Sequence, residues 1–272
     1  MTPRLSIIIV SYNSRLHLQK CLESLASNPP TVLFETLVVD NASADGTVTM
    51  LREQWPSVRV VDAGTNLGFA SANNRGFRAT TGELVLLLNP DTRVRPRTLD
   101  VLLAALASRP DAAVVGPRLV DGAGRPELSF GSMISPLAEL RQKCLVGGNH
   151  RRLPLVSGYV DRLTRKAQEV DWVSGACLLV RRTDAEAVGL MDERYFMYIE
   201  DVDFCAAIRQ RGRRVLFAPA AEVEHLRGES ARTAPDATHR AYRASRIAFY
   251  EKHHPGWAPI LRLYLTLKRG VR

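Results

Sequence analysis

The chain has 272 residues, 46% hydrophobic and 24% charged, with a net charge of +9. These are ordinary globular values that exclude wholesale disorder and a disulfide scaffold, and they suit one large α/β domain with or without a helical appendage. The charge is uneven: residues 226–272 carry ten Lys and Arg against three Asp and Glu, a basic segment able to attract nucleic acid, anionic lipid or acidic metabolites.

In chain order, Leu5–Val10 reads as a buried strand followed by a helix around Arg15–Ala26. Phe34–Val39 is a second strand, with a helix around Thr47–Gln54 after it. Val58–Val61 is a third, followed by a helix over Gly68–Thr80. Leu84–Leu88 is a fourth, then a helix from about Arg97 to Ser108, and Ala113–Gly116 is a fifth. Continuous apolar strands alternating with helices predict a mainly parallel sheet covered on both faces. From Asp121 to Val170 glycine, proline and arginine are frequent and periodicity is poor, so a long, partly mobile excursion is expected there. Order resumes at Trp172–Val180, then Tyr195–Gly212 and a strand at Arg214–Phe217. Basic amphipathic helices follow over Ala237–Tyr250 and Ile260–Lys268, split at His254-Pro-Gly256.

Cys21, Cys144, Cys177 and Cys205 form no C-x-x-C, which argues against a zinc ribbon or redox motif and fits a reducing compartment. No apolar run approaches the roughly 20 residues of a membrane-spanning helix, and Met1-Thr-Pro-Arg4 shows no signal-peptide architecture. A cytoplasmic chain is expected, its basic end read either as a solvated helix or as a peripheral contact with the inner membrane face.

The chemistry gathers where strands end, the edge at which open parallel sheets bind ligands. Strand one ends in Ser11-Tyr12-Asn13 and strand two in Asp40-Asn41-Ala-Ser-Ala-Asp45. Asn66-Leu-Gly68-Phe-Ala-Ser-Ala-Asn73 follows strand three, and strand four ends in Asn89-Pro-Asp91. Such residues also favour turns for local reasons, but four polar termini in succession point to a site. No G-x-G-x-x-G follows a strand and no Gly-Lys pair occurs, which disfavours a dinucleotide fold and a P-loop. Farther on, Tyr195-Phe-Met-Tyr198-Ile-Glu200-Asp201-Val-Asp203 places three carboxylates at the start of a helix. They either cap that helix or aim a base into a pocket.

These segments, with Trp172-Val-Ser-Gly175-Ala176 and Gly189–Phe196, occur in the order seen in family 2 glycosyltransferases, and over residues 5–230 the chain resembles their bacterial rhamnosyltransferase branch. The resemblance implies a GT-A fold, an α/β architecture with a mainly parallel, Rossmann-like sheet. It implies a catalytic domain over 1–230, with a donor half 1–118 and an acceptor half 119–230, and a basic helical segment over 231–272. It also implies inverting transfer of a sugar, best matched by L-rhamnose from dTDP-rhamnose, to a saccharide or polyprenyl-linked acceptor in cell-envelope polysaccharide synthesis.

In that reading Asp201 is the general base and Glu200 holds the acceptor or tunes the base. Asp40 reads the pyrimidine, with Ser11, Tyr12, Asn13 and Asn41 near it. Asn66, Gly68 and Asn73 line the ribose–diphosphate side, with Asn89 and Asp91 beyond them. Asp91 and His225 bind a divalent ion, Mn²⁺ or Mg²⁺, and the imidazole favours Mn²⁺. The metal motif Asn89-Pro90-Asp91 offers one carboxylate where the family's D-x-D has two, and His225 can also be read as a surface turn histidine. Trp172, Gly175, Ala176 and Tyr198 are assigned to the acceptor; each also has a packing explanation, as do Tyr195 and Phe196. His253-His254 reads as a helix end. Three other readings are weaker. A nucleic-acid module leaves the polar edge unexplained, a nucleotide-sugar pyrophosphorylase lacks its Gly-rich loop, and an inactive scaffold should have lost some of Asp40, Asp91 and Asp201.

Overall fold

A computed structural model describes residues 2–226 and 235–267. Its centre is a mixed sheet in the order β3-β2-β1-β4-β10-β6-β11-β5, with β8 (Gln168–Val170) also pairing β11. β1 (Leu5–Ser11), β2 (Phe34–Asp40), β3 (Arg59–Asp62) and β4 (Leu84–Leu88) are mutually parallel, as are β6 (Ala112–Val120) and β11 (Arg214–His225). β10 (Cys177–Arg181) enters antiparallel between β4 and β6, and β5 (Thr92–Val94) pairs antiparallel with the end of β11.

The apolar runs are continuous because both faces are covered. Along β1, Ile7 and Ile9 enter one core while Ile8 and Val10 enter the other; Leu86 and Leu88 of β4 alternate with Val85 and Leu87 in the same way. The first face is covered by α1 (Arg15–Ser27) and α4 (Thr98–Ala107), through residues such as Leu18, Leu22, Leu102 and Leu106. α2 (Thr47–Gln54) adds Met50 and Leu51 to the same core. The second is covered by α3 (Phe69–Ala79), through Ala70, Ala72 and Phe77. The period-2 alternation of a strand thus builds two cores from each central strand.

The region 121–170 corrects the expectation of a loose excursion. β7 (Phe130–Gly131) pairs with β9 (Trp172–Val173), and two helices follow, α5 (Pro136–His150) and α6 (Pro154–Leu163). Ser135 caps α5 by accepting the Ala138 N–H, and Pro136 occupies the first helical turn, a Ser-Pro start signal present in the sequence. Periodicity fails because the two helices bury little: Gly148 of α5 and Val160 of α6 are buried, whereas Leu137, Leu140, Leu153 and Leu155 are exposed. α7 (Arg182–Ala187) leads to α8 (Glu200–Gln210), which adds Phe204, Cys205 and Ile208 to the second core.

The C-terminal helices are α9 (Pro235–His253) and α10 (Ala258–Leu267), joined by a 3₁₀ turn at Pro255–Trp257. The end of the expected second helix, Lys268, lies outside the described residues. A third core joins them to the loop before α8: Phe249, Tyr250, Ala258, Leu261 and Leu265 pack with Tyr195, Ile199 and Val202. No described helix is long and apolar enough to cross a membrane.

Candidate active site

Strand register sets the donor side. Ser11 aligns with Asp40 and Asp40 with Asp62, so the first two polar termini share one edge. The two loops brace each other: the Asn13 N–H donates to Ser43 Oγ at 2.9 Å, and Asn13 Oδ1 accepts the Ala44 N–H at 2.8 Å. Ser11 Oγ meets Ser14 Oγ at 2.9 Å. Tyr12 is left exposed beside them. Asp40 is buried; Oδ2 accepts the Ser43 N–H, while Oδ1 makes no hydrogen bond.

Asn41 and Asn66 serve the loop itself. Asn41 Nδ2 donates to Asn66 Oδ1 and to the Gly68 carbonyl, and Asn41 Oδ1 accepts the Leu67 N–H. Asn73 lies buried on α3, its Nδ2 donating to the Phe69 carbonyl. The start of α3 is fixed in turn by the loop before α8, because the Phe69 N–H donates to the Phe196 carbonyl at 2.7 Å.

A short chain of contacts joins the two halves of the site. The Asn89 N–H donates to the Ala176 carbonyl at 2.9 Å. One residue away, the Gly175 N–H donates to Asp201 Oδ2 at 2.8 Å. The apolar run Trp172–Val180 breaks between β9 and β10 at 174–176, and that break is where the segment carrying Asp201 is held. A Cβ on Gly175 would meet the Phe69 ring at 3.3 Å and Asp201 Cβ at 3.4 Å. Phe69, which the sequence analysis did not single out, therefore forms part of this wall.

The carboxylates divide their work. Ile199, in the left-handed region at φ 72°, precedes α8 and provides no side-chain cap. Asp201 accepts the Val202 N–H at 2.8 Å besides that of Gly175. Asp203 is buried and faces away from this edge: Tyr195 Oη and Lys252 Nζ donate to it, and His253 Nε2 lies 2.6 Å from it. It ties α8 to α9. The three carboxylates do not share one role: Asp203 anchors α8 to the C-terminal helices, while Asp201 takes the Gly175 and Val202 N–H groups.

Burial pushes the Glu200 carboxyl well above the usual range, and the charge of Asp201 pushes it further. Burial also raises Asp201, against the two backbone N–H donors that favour its ionised form. Glu200 thus holds its proton to higher pH than Asp201, a division suited to a donor beside a base. An acid with a raised folded-state pKa keeps a proton that the unfolded chain sheds, so it costs stability increasingly as pH rises above the unfolded value. The expected result for Glu200→Gln is a melting temperature higher by about 2–4 °C at mildly alkaline pH, with a smaller gain near about pH 5. Calorimetric scans showing no gain, or a gain that shrinks with pH, would contradict this.

The metal assignment depends on β5, which the sequence analysis did not predict. His225 aligns with Thr92 across β5 and β11, and the Leu226 N–H donates to the Asp91 carbonyl at 2.9 Å. This brings His225 Nε2 to 3.4 Å from Asp91 Oδ1, an oxygen without a hydrogen bond. On the far side of the ring, Nδ1 lies 3.3 Å from Glu127 Oε2. Burial opposes the imidazolium, but the two carboxylates outweigh it and raise its pKa to about 9; the same imidazole lowers Asp91 against the effect of burial. Glu127 had no signal in the sequence, since it lies in the aperiodic stretch before β7. Among the described residues no group of three His, Cys, Asp or Glu side chains is arranged to hold a metal ion. Asp91 and His225 bring together the two donors that the resemblance assigns to a metal, and Glu127 stands where an outer carboxylate would orient a ligating imidazole. One carboxylate and one imidazole suit a divalent ion of borderline softness.

The acceptor assignments are mixed. Trp172 is half-buried, its Nε1–H committed to the Ser132 carbonyl at 3.0 Å and its ring against Gly131. Tyr198 packs edge-on to Tyr242 at 5.8 Å. Tyr195 is fully buried, while Phe196 is exposed. His253 ends α9, as its reading as a helix end requires.

Parallel β1–β4 followed by an inserted antiparallel strand, with polar loops on one edge, defines the GT-A class. A solved mannosyltransferase from Pyrobaculum calidifontis, in complex with GDP-Man and Mn²⁺, shares this fold at a TM-score of 0.62 and 21% identity, over 96% of this chain and 69% of that one. The sequence profile of Glycosyl transferase family 2 matches residues 6–188, and the chain belongs to that family. It is 34% identical to the N-acetylglucosaminyl-diphospho-decaprenol L-rhamnosyltransferase of Mycobacterium tuberculosis, covering all of this chain and 95% of the relative. It is 26% identical to rhamnosyltransferase WbbL of Escherichia coli K12, over 80% of this chain and 82% of that protein.

Proposed function

We propose that this glycosyltransferase moves L-rhamnose from dTDP-rhamnose, with inversion, to a hydroxyl of a lipid-linked saccharide in cell-envelope polysaccharide synthesis. The names of the two relatives support the sugar, and the first of them supports the lipid-diphosphate carrier. The observation that carries the reading is a set of buried, unsatisfied oxygens on one edge: Asp40 Oδ1, Asn89 Oδ1, Asp91 Oδ1 and Glu200 Oε2 make no hydrogen bond. Buried acceptors of this kind cost about 1–3 kcal/mol each. Asp40 ends β2, Asn89 and Asp91 follow β4 and Glu200 opens α8, so these oxygens are available to a ligand rich in N–H, O–H and cationic groups.

In this mechanism Asp40 accepts from the base N–H, and the braced Asn13–Ser14 and Asn41–Gly68 loops flank the nucleotide. Asp91 and His225 would hold a divalent ion, Mn²⁺ in preference to Mg²⁺. When bound, it offsets the charge that develops on the leaving diphosphate. Asp201, fixed by the N–H groups of Gly175 and Val202, removes the acceptor hydroxyl proton as that oxygen attacks the anomeric carbon from the face opposite the diphosphate. Protonated Glu200 donates to the acceptor and leaves Asp201 the ionised member of the pair.

The test is nucleoside diphosphate release from a panel of nucleotide sugars, with Mn²⁺ or Mg²⁺ and a lipid-linked N-acetylglucosamine acceptor. Release from dTDP-rhamnose alone supports the donor; release from UDP-galactofuranose or UDP-N-acetylglucosamine instead replaces it within the same fold. For Asp91→Ala, turnover should fall by roughly 10²-fold, the order expected for lost metal-borne charge stabilisation. Raising the metal concentration should restore part of it. An unchanged rate would remove Asp91 from the metal site.

A further inference from the structure

Helix α10 carries two apolar faces. Ala258, Leu261 and Leu265 are buried in the third core, against the residues that lead into α8. Ile260, Leu263, Tyr264 and Leu267, with Trp257 in the preceding turn, point the other way and each leaves 49–64% of its surface in water. The spacing 257, 260, 264, 267 is that of one helical stripe, so these residues form a ridge and not scattered exposure. At 100° per residue the remaining sector of the helix holds only Pro259, Arg262 and Thr266.

Charge decides what covers this ridge. From His253 to Arg272 there are four Lys and Arg and no acidic residue. Arg262 pairs with Glu251 of α9; the other three lie beyond the described residues, and only their charge enters here. A second copy of the chain would bring an equally basic segment. An anionic bilayer supplies the opposite charge, and a Trp and a Tyr among aliphatic residues suit the headgroup boundary.

We propose that the outward face of α10 is a lipid-docking surface, seated in the headgroup–acyl boundary of an anionic bilayer. Its inner face packs on the segment that positions Glu200 and Asp201, so docking sets the height of the catalytic helix above the membrane. The docking is read from this surface alone; its use, presenting Asp201 to a lipid-linked acceptor, rests on the function proposed above. Two weak signals act together, apolar insertion and basic attraction. Binding should therefore weaken with salt, as screening shortens the reach of charge to within a Debye length of about 8–10 Å, without vanishing.

The experiment is flotation of the full chain, without donor, with vesicles of phosphatidylglycerol and phosphatidylcholine beside vesicles of phosphatidylcholine alone, at low and high salt. The expected result is strong flotation with anionic vesicles at low salt and a residual bound fraction at high salt. A blue shift of tryptophan emission should accompany binding and be lost in Trp257→Phe. The double variant Ile260→Asp, Leu263→Asp changes only exposed positions, so its melting temperature should match the parent while its partition falls by about tenfold or more, the ratio that corresponds to 1.4 kcal/mol. Absence of flotation at low salt, complete release at high salt, or a double variant that floats like the parent would each overturn the proposal. So would a dimer in sedimentation velocity that the double variant abolishes. Because no donor is present, failure here leaves the transferase reading untouched. Loss of diphosphate release with a water-soluble acceptor would count against that reading alone.

Discussion

Asp201→Asn should reduce sugar transfer by about 10³-fold, within the 10²–10⁴ range of a general base, while donor affinity by calorimetry stays within about twofold. The separation follows from position. Asp201 is held by the N–H groups of Gly175 and Val202, neither of which belongs to the loops proposed to flank the nucleotide. Asn retains the shape and one acceptor oxygen, while its NH2 would face one of the two backbone N–H donors; the loss of basicity should appear in kcat, with one of these hydrogen bonds lost beside it. Because burial raises the Asp201 pKa, the acidic limb of the kcat/KM profile in the parent should lie above the ordinary aspartate value of about 4. Activity should rise with pH through that limb, since the base must be ionised. Near-parental turnover in Asp201→Asn would remove it from the base role. Loss of donor binding along with turnover would make it a structural residue of the loop.

The second large effect is expected at Gly68. Its φ of 80° with ψ of 179° lies in a region that is essentially glycine-only, and a Cβ there would sit 2.3 Å from the Phe196 carbonyl oxygen. That oxygen accepts the Phe69 N–H, so the clash strikes the bond that closes the donor loop onto the loop before α8. Gly68→Ala should cost about 3–5 kcal/mol, the sum of backbone strain and overpacking, and lower the melting temperature by roughly 2–4 °C per kcal/mol. Donor KM should rise as well, because the Asn66–Gly68 turn loses its anchor. Gly64 has φ 73° and nothing within 4 Å of its would-be Cβ; Gly64→Ala should cost about 1 kcal/mol and leave KM unchanged. Equal effects at the two glycines would show that the Phe196 contact does not position the loop.

Reading the fold from the sequence succeeded where local pattern and burial agree. β1, β2 and β4 are apolar on both faces because helices cover both, and that continuity is visible in the letters. The Asp121–Val170 misreading had the opposite cause. α5 and α6 bury too little for a period to emerge, and their local traces are the Ser135 cap of α5 and the proline that opens each helix. The three carboxylates at 200–203 were legible as a group, but their separate duties were not. Asp203 turns to Lys252 and His253, some fifty residues later in the chain, and no spacing rule reaches that far.

By itself, the sequence determined the class of architecture, the polar edge and the identity of most residues along it. These follow from short-range periodicity and from residue types whose chemistry is fixed wherever they sit. Only the tertiary structure decided which of them meet. Antiparallel β10 entering beside β4 sets Gly175 against Asp201, and the β5–β11 pairing sets His225 beside Asp91 with Glu127 behind it. Packing alone also left one face of α10 in water while burying the other. Such pairings join residues tens to more than a hundred positions apart. They are fixed by the register of strands and by the packing of helices on shared cores, quantities that no local run of residues contains.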